Sequence, residues 1–82
     1  MKTTILRNAF PIKNMEEVRW TFAVIKGYIE KAHRQGLRAS LTLGVKKPVV
    51  VANIGQLLTF REEVIQAVRR LGGTLVRIHF VP

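Results

Sequence analysis

The chain has 82 residues, 14 Lys and Arg against five acids, a formal net charge of +9 and no cysteine. That length accommodates one compact core, so residues 1–82 are expected to form a single domain, and disulfides, thiolate catalysis and cysteine-based zinc or iron–sulfur sites are excluded. No run approaches the roughly 20 apolar residues of a membrane span and the amino terminus lacks a signal peptide's apolar stretch, so a cytoplasmic protein with no membrane partner is expected.

The first periodic segment, Thr3 to Phe10, is rich in β-branched and aromatic residues and closes at Pro11, which reads as a strand. Asn14 stands at an N-cap position, with Glu16 and Glu17 in the first turn and Glu17 placed to complete a capping box. Met15, Val18, Phe22, Ile25, Ile29 and Ala32 then recur at spacings of three and four, the apolar stripe of an amphipathic helix. Lys31, His33 and Arg34 complement the negative end of its dipole and Gly36 supplies a left-handed cap, so this helix is expected from Met15 to near Gln35.

Leu37 to Leu43 alternates apolar and polar residues with a period of two, the signature of a half-buried strand. Gly44 to Pro48 forms a turn, and Val49 to Ala52 completes a hairpin; being apolar on both faces, this second arm is expected to lie centrally in a sheet. Thr59-Phe60-Arg61-Glu62 matches the Ser/Thr-x-x-Glu capping box and is expected to open a second helix, with Phe60, Val64, Ala67, Val68 and Leu71 as its core stripe and Gly72-Gly73 as its end. Thr74 to Val81 is the last strand, with Val76, Ile78 and Phe80 on one face and Leu75, Arg77 and His79 on the other.

The predicted fold class is therefore α+β, a ferredoxin-like βαββαβ sandwich: a four-stranded antiparallel sheet in the order 4-1-3-2 with both helices on one face. The RNA-recognition motif shares this element order but presents aromatic residues on its central strands. The corresponding Lys47 to Asn53 has none, which argues against base stacking. Lys46-Lys47-Pro48-Val49 resembles the lysine pair of Alba-type chromatin proteins over four residues, at a different topological place, and assigns no family.

Convergent catalytic groups are scarce. All five acids, Glu16, Glu17, Glu30, Glu62 and Glu63, fall on predicted helices, four of them in first turns where they complement the dipole. His33 and His79 are far apart in sequence and there is no Asp, so no metal set and no general acid–base pair is discernible. The expectation is a protein that is not an enzyme and carries no cofactor.

A charge of +9 exceeds what solubility requires of a small domain and points to a polyanionic partner, DNA or RNA, with an acidic protein surface as the alternative. The candidate nucleic-acid contacts are Arg38, Ser40 and Thr42 from the second strand, Arg77 and His79 from the fourth, Arg7 from the first if Leu6 and Phe10 point inward, and Lys46 and Lys47 at the hairpin tip. Arg69 and Arg70 are explained by the end of the second helix. Trp20 falls nearly opposite the core stripe, near Ala23, Val24 and Gly27, and marks a patch for homodimerisation; Lys31 on the same side makes base stacking a secondary reading.

Overall fold

A computed structural model describes residues 8–82, which form β1 (Ala9–Ile12), α1 (Met15–Arg34), β2 (Arg38–Leu43), β3 (Val49–Val51), α2 (Ile54–Leu71) and β4 (Thr74–Val81). The βαββαβ order and the single antiparallel sheet are those of a ferredoxin-like α+β fold. The inward side chains of the sheet, among them Phe10, Ile12, Leu41, Val76 and Ile78, join Val18, Ile25, Phe60 and Val64 of the helices in one core cluster. Burying these aliphatic side chains between two layers supplies the main stabilisation, at about 1.5–3 kcal/mol for each fully buried Val, Leu, Ile or Phe.

The strands lie in the order β1-β4-β2-β3, not the expected 4-1-3-2. β4, eight residues long, pairs with β1 through Thr74–Arg77 and with β2 through Val76–Val81, so it holds one of the two central places. β3 has three residues, pairs only with β2 and is an edge strand, which corrects the central position expected from its two apolar faces. Pro48 and the short pairing suit an edge, and Val49 and Val50 are each 41 % exposed. β1 is the other edge. It runs through Pro11 to Ile12 where the sequence suggested a stop, because an edge position does not require the missing N–H. The expected strand residues Thr3 to Arg7 lie outside the described residues.

Both helices begin with the same device. Asn14 Oδ1 accepts from Glu17 N at 2.9 Å and Glu17 Oε1 accepts from Lys13 N at 2.6 Å. Asn53 Oδ1 likewise accepts from Gln56 N at 3.0 Å while Gln56 Oε1 accepts from Ala52 N at 2.6 Å. α2 therefore opens at Ile54, more than a turn before the expected start at Thr59, whose hydroxyl instead donates to Gly55 O within the helix at 3.1 Å. Leu57 and Ile65 join the core, and Leu71, expected there, is 75 % exposed. Gly72, at φ 79°, ends α2 in a left-handed cap with its N–H on Val68 O.

Candidate nucleic-acid interface

Alternation along β2 and β4 sends Ala39, Leu41 and Leu43, and Val76 and Ile78, toward the helices, where all five are buried. The residues between them face the other way. The β2–β4 register sets Arg38 opposite Val81, Ser40 opposite His79 and Thr42 opposite Arg77, so one open face collects Arg38, His79 and Arg77 from two neighbouring strands. All three are exposed. Arg38 and Arg77 stand four residue positions apart along the sheet, about 14 Å at the rise of an extended strand.

Ser40 and Thr42 belong to the same face, but Ser40 is only 7 % exposed and Thr42 is half-buried. Their short side chains sit on a central strand among longer neighbours, and they form the floor of the face and not projecting contacts. Ala9 opposite Arg77, Pro11 opposite Leu75 and Val50 opposite Ser40 complete it with small and aliphatic residues. Leu75 is expected on this face from the alternation of β4, whereas Pro11 and Val50 are added to it by the edge strands. The two aromatics of the sheet, Phe10 and Phe80, point to the helices, where each packs against Tyr28 at a ring separation of 6.4 Å.

The hairpin tip lies beyond one end of that face. Gly44 N donates to Leu75 O at 2.7 Å and Lys46 N to Leu43 O at 3.0 Å, which folds the turn over the Arg77 end of β4 and away from Arg38. Lys46 and Lys47 are both exposed there, and Lys46 borders a hollow it shares with Glu63, Arg70 and Leu71 of α2. Arg7 lies outside the described residues. Arg38 and Arg77 thus share the open sheet face and the lysines lie beyond its Arg77 end, Lys46 toward α2; Trp20, Ala23 and Gly27 are exposed on the opposite layer, and Val24, expected beside them, is half-buried against the core.

Charge is divided between the layers. The two helices hold all five acids together with seven of the 14 cations, Arg19, Lys26, Lys31, Arg34, Arg61, Arg69 and Arg70. The remainder of the chain has cations and no acid at all, so nothing on β2, its hairpin or β4 neutralises Arg38, Lys46, Lys47 or Arg77. Among the described residues no cluster of His and acids is suited to a metal ion, and no helix is long and apolar enough to cross a membrane.

A further groove lies in the helical layer. Between α1 and α2, Arg19, Ala23 and Lys26 face Ile54, Leu58 and Arg61 across an open furrow whose other lining residues are the buried Phe22 and Leu57. A helix that began at Thr59 would leave Ile54 and Leu58 in a loop; the Asn53-x-x-Gln56 cap is the signal that places them on α2. The chain matches no known family model, no curated protein and no solved structure.

Proposed function

We propose that this protein is a nucleic-acid-binding module that grips the phosphate backbone through Arg38 and Arg77 on the open sheet face and through Lys46 and Lys47 at the hairpin tip. The supporting observation is the segregation of charge: the described strands and the hairpin carry cations and no acid, with Glu63 of α2 the acid that borders Lys46, beside a helical layer where both signs mix. Guanidinium groups make forked, charge-assisted contacts with phosphate, and two of them on adjacent strands of a rigid sheet are already held apart and oriented. The small floor of Ala9, Ser40 and Thr42 lets a backbone approach closely, and with Phe10 and Phe80 turned inward the His79 imidazole is the one ring that the described strands offer to a base on this face. Binding is therefore dominated by phosphate contacts, with little base readout.

Fluorescence anisotropy with labelled single-stranded and duplex DNA and RNA tests this. Four phosphate contacts give a slope of log K against log salt of about −2.8 to −3.6, hence a loss of affinity of about 50- to 150-fold between 50 and 200 mM salt. No binding at 50 mM, or a flat salt response, overturns the reading. Copurification of a stoichiometric acidic protein that nuclease treatment leaves in place would favour an acidic protein partner instead.

A further inference from the structure

Gly27 stands inside the 20-residue helix α1, where glycine is a poor helix former, yet a Cβ at this position would meet nothing within 4 Å. Nothing within the fold requires its small size. On the same outer surface, turned away from the sheet, Trp20 is 58 % exposed, although an indole left in water forgoes the burial that usually retains it. Glu16, Trp20, Ala23, Gly27, Glu30 and Arg34 follow one another at alternating spacings of four and three, the seam along which one helix packs on another.

We propose that α1 is the interface of a homodimer, two copies packing antiparallel about a two-fold axis that passes between residues 23 and 24, with Trp20 of each seated over Gly27 of the other. Three pairs share that centre: Glu16 lies level with Lys31, Trp20 with Gly27, and Ala23 with Val24. The large ring meets the missing side chain, which accounts for both anomalies at once.

Charge fixes the direction. Antiparallel packing about that axis sets Glu16 level with Lys31 once at each end of the seam, the one acid–cation pair it forms, while Glu17 falls level with Glu30 and Arg34 with Lys13. Parallel packing would stack like on like, which is destabilising. The chain's excess charge does not oppose the contact, because α1 carries four cations and three acids, while Arg38 and Arg77 sit on the far face of the sheet. A one-helix seam lies at the low end of interface sizes, so the dimer is reversible and depends on concentration. Packing back to back leaves both sheet faces outward. Where those faces bind nucleic acid as proposed above, the dimer is bivalent.

Sedimentation equilibrium of the full chain without nucleic acid separates this inference from the nucleic-acid reading. The apparent mass is expected to rise from 9.3 kDa toward twice that value with concentration. Trp20→Ala and Gly27→Gln each weaken association by about tenfold or more. Gly27→Gln meets open space within its own fold, so its circular dichroism stays that of the parent. Glu16→Lys and Lys31→Glu each weaken the dimer and the double exchange restores it. A parent that remains at 9.3 kDa at millimolar concentration, a Gly27→Gln variant that associates like the parent, or a double exchange that fails to restore association overturns the proposal.

Discussion

The open sheet face and the outer surface of α1 are built from the same kinds of residue and put them to opposite use. On the sheet, Arg38 and Arg77 stand at fixed strand positions over a small, uncharged floor with no acid in the layer, so their field extends outward uncompensated. On α1, three acids and four cations are interspersed, so they nearly cancel at a distance and leave only a pattern legible at contact. Net charge is therefore a poor guide to partner: the first arrangement suits any polyanion, and the second suits a surface with the matching pattern.

The strongest test of that contrast changes the same amount of charge in each layer. Arg38→Glu with Arg77→Glu and Arg69→Glu with Arg70→Glu each lower the net charge from +9 by the same amount. The sheet pair is expected to reduce affinity for a nucleic-acid strand at 50 mM salt by about a hundredfold or more and to flatten the salt slope by about 1.4 to 1.8, since each lost contact removes about 0.7 to 0.9. The helix pair, set where cations complement the end of α2, changes affinity by only a few fold and leaves most of the slope in place. Equal losses in an anisotropy titration would mean that total charge binds and the face does not.

The hairpin tip comes next in size. Lys46→Ala with Lys47→Ala removes two exposed ammonium groups beyond the Arg77 end of the sheet face and is expected to weaken binding by about 20- to 30-fold at 150 mM salt, with the melting temperature unchanged. The loss should be the same for every base sequence tried, because phosphate contacts position a strand without reading it. A loss confined to some sequences would relocate base readout to the tip.

The helix starts measure how far local chemistry carries. Asn14 and Glu17 were legible as a cap because the apolar stripe begins directly behind them. For α2 two cap sequences compete, Asn53-x-x-Gln56 and Thr59-x-x-Glu62, and the glycine at 55 made the earlier one read as a loop. Asn53 prevails because its carbonyl and the Gln56 amide satisfy backbone N–H groups at both sides of the first turn. Asn53→Ala should therefore cost about 1 kcal/mol in denaturant unfolding. Thr59→Ala, mid-helix, should cost nothing or stabilise slightly. With the start of α2 misread, the furrow of Ile54 and Leu58 was invisible, while the sheet face, which depends only on period-two alternation in β2 and β4, was readable apart from Pro11 and Val50 on the edge strands. Strand order was beyond reach for a different reason. Element order alone is compatible with either central pair, and the deciding quantity is how much length each strand offers on both of its edges.

The smallest expected effect concerns Leu71. Its angle on α2 falls close to that of Val64 and Phe60, so periodicity assigns it to the core, yet it stands 75 % exposed in the last turn before Gly72. Periodicity fixes the azimuth of a side chain and says nothing of whether the sheet still extends beneath it. Ala67, one turn earlier, still packs partly against the core, so the support fails within the final turn. Leu71→Ala should consequently change the unfolding free energy by no more than about 0.5 kcal/mol, and Leu41→Ala, at the same chemistry on the inner face of β2, should lose about 2 to 5 kcal/mol. A costly Leu71→Ala would show that the end of α2 is covered in solution, and because Leu71 borders the same hollow as Lys46, it would extend the contrast between the layers to the place where they meet.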